Sequence, residues 1–334
     1  MVTTTRYFLA QRPEGVPDAD TFDLRTVDLD EPGPGEVLVK LRYLSVDPYM
    51  RGRMDAGESY AEPWAVDEPL QGGAVGEVVD ETGTEFEPGD TVVGTMSWSE
   101  YHLADAGGLQ RIETGSLPVS TALGVLGMPG RTAYFGTREV LEPRAGDTVA
   151  VTAAAGAVGS VVGQLATLQG ARVVGFAGND EKCEVVEEEF GFDACINYES
   201  TDDYAAALAD AAPEGVDGYF DNVGGPITDA VFTQLNVDAR VAVCGQIALY
   251  NAEETPTGPR KLGKLIETRA RVQGLLVGDF AARFEQATAD LAAWVAAGEI
   301  EYRETVTEGL ENAPDAFLGL FEGENVGKQV VKVA

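Results

Sequence analysis

The sequence predicts an α/β chain in two parts, a β-rich, partly open barrel and a doubly wound parallel sheet. Three observations carry this. The first ~120 residues hold short alternating strands separated by turn signals. From about residue 145 strands alternate with helical stretches of ~10 residues or more, the rhythm of parallel βαβ units with right-handed crossovers. At 334 residues, the chain exceeds the ~250–300 at which a single core stops growing.

In the β-rich part, residues 36–41 alternate after a Pro-Gly-Pro-Gly turn. A second strand is expected over 73–79, and the Pro88-Gly89-Asp90 turn leads into a third at 91–94. In the second part the strands expected are 147–152, 172–176, 194–197, 216–221, 240–244 and 271–277. The helices are 157–169, 180–190, 201–211, 227–235 and 281–297. A last strand, 328–333, has no helix after it and is expected to return to the first domain. The domains are therefore drawn as 1–124 with 302–334, and 125–301.

The sharpest local signal is the run TAAAGAVGSVVG at 152–163, directly after a strand and opening a helix. In a dinucleotide-binding turn the glycines let the backbone approach a pyrophosphate, whose charge the helix N-terminus favours. Gly156, Ala157, Val158 and Gly159 form that turn, and Gly163 is expected to let the helix pack closely on the strand. The first glycine of the usual pattern is replaced by Ala154. A glycine pattern is a weak signal by itself; the strand–turn–helix context strengthens it. An NAD site places an acid at the end of the second strand. Here residues 174–179 read VGFAGN, with no acid, and Lys182 follows, one of only six lysines. A cation there suits the 2′-phosphate of NADP. A solvated helix lysine is the alternative, and Asp180 and Glu181 stand beside it.

No catalytic zinc is expected. Such a site draws three protein ligands from His, Cys and Glu. The chain has one histidine, His102, read as a barrel-surface residue, and its three cysteines, Cys183, Cys195 and Cys244, all lie in the second part. Their number and spacing suggest a reducing compartment and small buried side chains rather than a disulfide framework. Serine hydrolysis would rest on His102 alone, and no Gly-x-Ser-x-Gly elbow exists.

Taken in order from about residue 40 to the end, the runs LSVDPYMRG (44–52), GMPGRTAYFG (127–136), AAAGAVGS (153–160), GNDEK (178–182), FDNVGG (220–225) and ENVGK (324–328) resemble one family. It is the leukotriene B4 dehydrogenase/prostaglandin reductase (alkenal/one oxidoreductase) branch of the medium-chain dehydrogenase/reductase superfamily. The resemblance implies a GroES-like catalytic barrel plus a Rossmann domain, usually a homodimer, and zinc-independent, NADPH-dependent reduction of activated C=C bonds in α,β-unsaturated aldehydes and ketones. It places Gly156, Ala157, Val158 and Gly159 at the pyrophosphate and Lys182 and Tyr198 at the 2′-phosphate. Asn222 falls on the adenosine and ribose side. Cys244, Gly245, Tyr250, Leu275, Leu276, Val277 and Asn325 fall on the nicotinamide side. Two departures concern the substrate's shape: residues 247–251 read IALYN where the family often has a serine second, and Leu275 stands where an aromatic is common.

Resemblance and chemistry together favour Tyr250 as catalytic residue. Hydride goes to the β-carbon, and the enolate oxygen needs a preorganised donor, which a neutral tyrosine hydroxyl supplies together with the cofactor's ribose hydroxyl. A loop aromatic packing on the cofactor is the plainer role. Tyr49 and Arg51 are candidates for the substrate mouth, Arg51 equally for a structural part. Rival readings are a zinc-free quinone reductase and a nucleotide-binding protein without activity.

Charge sets the remaining expectations. Against 23 basic residues stand 56 acidic ones, a net charge of −33, which repels nucleic acid. No apolar run approaches the ~20 residues of a membrane span and no secretory signal pattern opens the chain, so the expected location is cytoplasmic. The acids are spread along the chain rather than gathered in a tail, a coat suited to concentrated salt, where self-repulsion is screened over ~3 Å at 1 M. An ordinary acidic cytosolic protein is the alternative. A salt-adapted protein melts at higher temperature in molar KCl than in dilute buffer; a melting temperature that does not rise overturns that reading.

Overall fold

A hairpin of β1 (Val2–Leu9) and β2 (Phe22–Leu29) begins the chain in the computed structural model, which describes residues 1–57, 59–254 and 256–333. The Pro-Gly-Pro-Gly turn ends on Gly35 at φ +88°, a left-handed conformation that glycine adopts without strain. It launches β3 (Glu36–Ser45). After the short helix α1 (Met50–Arg53) come β4 (Gln71–Thr82), β5 (Thr91–Ser97), β6 (Tyr101–Asp105) and β7 (Leu109–Arg111). A side chain at Gly76 would lie 2.4 Å from Val39, so glycine is what lets β4 close on β3 beside a register shift.

The second part runs α2 (Met128–Phe135), β8 (Thr148–Thr152), α3 (Gly159–Leu168), β9 (Arg172–Ala177), α4 (Asp180–Glu188), β10 (Ala194–Asn197), α5 (Tyr204–Ala211), β11 (Val216–Asp221), α6 (Gly225–Phe232), β12 (Leu235–Val243), α7 (Gly263–Thr268), β13 (Arg271–Gly274) and α8 (Phe284–Ala297). The chain then adds β14 (Glu304–Glu308), α9 (Ala313–Leu318) and β15 (Lys328–Lys332).

These elements form two units. Met1–Leu123, Glu304–Asn325 and residues 329–333 make the first; Gly124–Arg303 and Val326–Lys328 make the second. The first holds a seven-stranded sheet, β14-β15-β3-β4-β5-β7 with β6 also on β3. The last strand does return to it, β15 pairing antiparallel with β3 through Val330 and Ser45. Trp98 is fully buried at its core, stacked on Phe22 at 6.4 Å and edge-on to Phe317 at 6.1 Å.

The second unit is a six-stranded parallel sheet in the order β10-β9-β8-β11-β12-β13. Starting from β8 the chain winds one way to β10, then returns to β11 beside β8 and winds the other way. The loops after β8 and β11 therefore diverge, which is the topological switch point where open α/β sheets bind ligands. All five residues of β8 are buried, as a central parallel strand requires.

Where expectation and structure differ, tertiary context supplies the reason. The strand expected over 271–277 stops at Gly274, and a 3₁₀ turn, Val277–Arg283, carries the chain into α8. The apolar run at 275–277 marks a bend rather than more strand. The helix expected from residue 157 starts at Gly159, since Gly156 to Val158 form the turn itself. Gly163 faces a ring rather than the strand backbone: a Cβ there would lie 1.9 Å from the Phe192 side chain, which also comes within 3.1 Å of a Cβ at Gly175 of β9. The ring is thus seated against both glycines.

Candidate active site

Because the sheet of the second unit is parallel, its strands all end on one edge, and the expected site residues of this unit all follow those ends. Gly156–Gly159 come after β8, Lys182 after β9, Tyr198 after β10 and Asn222 after β11. Cys244, Gly245 and Tyr250 come after β12, and Leu275, Leu276 and Val277 after β13. Asn325, Tyr49 and Arg51 belong to the first unit.

The glycine turn is built tightly. Ala153 takes the left-handed conformation at φ +50°, uncommon for a residue with a side chain. A Cβ on Gly159 would lie 2.2 Å from the Ala153 carbonyl, and one on Gly156 3.1 Å. Gly327, at φ +69°, donates its N–H to the Ala155 carbonyl at 2.7 Å and holds the turn from outside. The Val158 and Gly159 amides, at the start of α3, donate to no protein group among the described residues. A bare, glycine-lined helix start with open N–H groups fits a pyrophosphate.

At the end of β9, Asn179 caps α4, its Oδ1 accepting the Lys182 N–H at 2.8 Å. The Lys182 side chain is 9% exposed. Burial pulls its ammonium below the usual range, while Glu199 pushes it back up. The Tyr198 hydroxyl comes within 2.9 Å of a Cβ placed on Gly178. The strand end at Ala177 carries no acid; Asp180 is occupied by the Asn197 amide at 2.7 Å. A half-desolvated cation at the start of α4, with the Tyr198 hydroxyl near Gly178 of the preceding turn, fits a 2′-phosphate.

At the switch point a residue outside the expected set dominates. Asp221, fully buried at the end of β11, accepts hydrogen bonds from the Gly224 N–H at 2.8 Å, the Val223 N–H at 3.0 Å, the Tyr219 hydroxyl at 3.0 Å and the Thr228 hydroxyl at 2.8 Å. Its backbone carbonyl accepts the Cys244 and Gly245 N–H groups at 2.8 and 3.1 Å. Next to it, Asn222 donates Nδ2–H to the Thr152 carbonyl at 2.7 Å, and its own N–H goes to the Thr152 hydroxyl at 2.8 Å. The signal was present in the run FDNVGG, where an acid precedes Asn222.

After β12 the chain turns through Ile247–Leu249 to Tyr250, whose hydroxyl accepts the Gln246 N–H at 3.2 Å. That bond leaves the phenolic hydrogen available. A Cβ on Gly245 would meet both this hydroxyl and the Asn222 carbonyl at 3.2 Å, so glycine keeps the loops together. Burial pushes the Tyr250 phenol up, partly offset by the Gln246 bond, so it stays protonated at neutral pH. Burial and Asp221 likewise push the Cys244 thiol up, to about 12. The Leu275 N–H donates to the Val243 carbonyl at 2.9 Å, Leu276 is exposed and Val277 half-buried.

In the first unit, Tyr49 is half-buried against the core, and burial pushes its phenol up to about 12. Arg51 is buried, its guanidinium donating to the Gly15 carbonyl at 2.9 and 3.1 Å and pairing with Asp55 at 2.7 Å. That arrangement braces a loop. His102 is half-buried rather than on the surface. Its Nδ1 lies 2.9 Å from the Ser97 hydroxyl, and burial with the Arg6 charge pushes its imidazole down to about 4. Ser97 is 2% exposed, so no substrate reaches this pair as it would a hydrolase nucleophile. Among the described residues no group of three His, Cys, Asp or Glu side chains is placed to hold a metal.

Two family patterns match the chain: one described as the N-terminal domain of oxidoreductase over residues 5–112, the other as zinc-binding dehydrogenase over residues 157–294. An NADPH-dependent curcumin reductase of Escherichia coli is 43% identical, covering 98% of this chain and 96% of its own. A 2-alkenal reductase (NADP(+)-dependent) of Nicotiana tabacum is 42% identical, with 100% and 98% covered. The solved structure of CurA in complex with NADPH from Vibrio vulnificus superposes with a TM-score of 0.94 at 44% identity, covering 99% of both chains.

Proposed function

We propose that this chain, which belongs to the alkenal/one oxidoreductase and prostaglandin reductase branch of the medium-chain dehydrogenase/reductase superfamily, reduces activated C=C bonds of α,β-unsaturated ketones and aldehydes with NADPH. One observation carries the reading: the turn of Gly156, Ala157, Val158 and Gly159, then Lys182, Tyr198, Asn222 and Tyr250, all follow strand ends on the same edge of the parallel sheet. The second unit is the NADP-binding domain in this reading, the first the catalytic domain.

The open Val158 and Gly159 amides at the α3 start hold the pyrophosphate, and Lys182 with Tyr198 holds the 2′-phosphate. Asn222, fixed by two bonds to Thr152, faces the ribose side; Cys244, Gly245, Leu275, Leu276, Val277 and Asn325 serve the nicotinamide side. Bound NADPH supplies the hydride. As the substrate's β-carbon is reduced, negative charge gathers on its carbonyl oxygen, and Tyr250 donates to that oxygen. Its hydroxyl is seated in advance by the Gln246 N–H, which also strengthens it as a donor. On the first unit Tyr49 is the substrate-side candidate; Arg51 has its structural part.

A homodimer accompanies the reading, supported by β13, an edge strand whose four residues are all exposed. Among the described residues no helix is long and apolar enough to cross a membrane. A cytoplasmic location and a salt-rich host complete the proposal.

The activity is tested by following NADPH oxidation with an enone, with a quinone and with neither. Oxidation with the enone is expected. Oxidation with the quinone alone makes the acceptor a quinone, and none with either sinks the proposal. Replacing Lys182 with Ala removes one charge-assisted contact and is expected to cost NADPH binding about 1.5–3 kcal/mol while NADH binding stays nearly level. Equal losses for the two cofactors refute a 2′-phosphate role. Tyr250→Phe keeps the ring and deletes the donor. It is expected to lower kcat by ~10- to ~10²-fold with KM and NADPH affinity nearly unchanged, since the contact is stronger in the transition state. Full kcat in this variant returns Tyr250 to a packing role.

A further inference from the structure

Two of the three cysteines, twelve residues apart in the chain, meet. Cys183 lies in α4 and Cys195 in β10, and their Sγ atoms are 2.7 Å apart. Cys183 is 9% exposed and Cys195 half-buried, so the pair lies near the surface without being fully open. Each sulfur sits on a well-fixed backbone. The Cys183 N–H is held by the Asn179 carbonyl at 3.1 Å, and the Cys195 N–H by Glu187 at 2.7 Å. Cys195 is also registered against Gly175 in the parallel β9–β10 pair. Both neighbourhoods belong to the proposed 2′-phosphate end. Lys182 directly precedes Cys183 on α4, and Tyr198 follows Cys195 by three residues.

We propose that Cys183 and Cys195 are a thiol pair that a hydroperoxide converts to a disulfide, and that this bond weakens NADPH binding through Lys182 and Tyr198. The coupling rests on the 2′-phosphate reading above. Contact with Cys195 holds the Cys183 thiol below its usual range, whereas the same contact and burial push Cys195 up, so Cys183 is the attacking sulfur. Its thiolate attacks the terminal peroxide oxygen, and the O–O bond breaks. Cys183 becomes a sulfenic acid, and the other oxygen leaves as alkoxide, or as hydroxide from hydrogen peroxide, taking up a proton. The Cys195 sulfur then attacks the Cys183 sulfur, the S–O bond breaks, and the Cys195 proton leaves with the oxygen as water. Two thiols lose two electrons and the peroxide gains them. The product bond ties the first turn of α4 to β10, one residue from Lys182 and three from Tyr198. Disturbing one contact to the 2′-phosphate, worth about 0.5–1.5 kcal/mol, is expected to weaken NADPH binding about three- to tenfold.

The test treats the whole protein with hydrogen peroxide, maps the thiols by mass spectrometry and measures NADPH and NADH affinities before oxidation, after it, and after reduction with dithiothreitol. Expected are a 183–195 cross-linked peptide pair and a fall in NADPH affinity of about threefold or more with NADH nearly level, both reversed by the dithiol. Cys183→Ser is expected to keep the preference for NADPH and to lose its sensitivity to peroxide. Absence of the cross-link overturns the proposal, as does a cross-link that leaves the NADPH-to-NADH ratio unchanged. A reduced protein with no preference for NADPH refutes the 2′-phosphate site itself; the cross-link, read by mass alone, separates that failure from failure of the thiol chemistry.

Discussion

The candidate site depends first on one buried carboxylate. Asp221 lies at the end of β11 with no exposure, and such a group is tolerable only when its lone pairs are met by donors. Two backbone amides and two side-chain hydroxyls meet them, from Tyr219 within β11, from the start of the following loop and from α6. The Asp221 carbonyl fixes the start of the loop that leads to Tyr250, and the neighbouring Asn222 is tied to Thr152 at the end of β8. Three loops thus take their positions around one residue. Removing its carboxyl group would leave these donors without an acceptor in a dry place, a loss far larger than that of a single hydrogen bond.

Much of this was legible in the sequence. Strands β10 and β11 begin and end where the apolar pattern puts them, and the βαβ rhythm gives the parallel sheet directly. The glycine turn was legible because glycine at 156 and 159 answers a steric demand visible in the motif. Less legible was anything set by contacts far apart in the chain. The Gly163–Phe192 contact and the meeting of Cys183 with Cys195 need the fold before they exist. Asp221 escaped for a different reason: an acid at a strand end reads as solvated unless the donors around it are known. The β13 boundary was overrun because Leu275 to Val277 are apolar, and periodicity cannot tell a strand from the bend that follows it.

One position in the second unit runs against the charge of the chain as a whole. In a protein of net charge −33, a lysine 9% exposed beside a strand end with no acid is a local exception. Distant surface acids act on it weakly through water and salt. What it senses is its immediate surroundings, where Glu199 favours its charged form and burial opposes it. An acidic coat and a buried lysine are therefore compatible, because the coat acts from a distance and burial acts at contact.

The ring of Phe192 seated against Gly163 and Gly175 has a bearing on how such sequences drift. With a Cβ at 163 only 1.9 Å from the ring, no side chain can be gained there while the phenylalanine stays in place. A smaller residue at 192 by itself would leave a void between α3 and β9. The positions constrain one another, so substitutions are acceptable together and costly apart. In lineages where this region diverges, residues 163 and 192 are expected to vary as a pair.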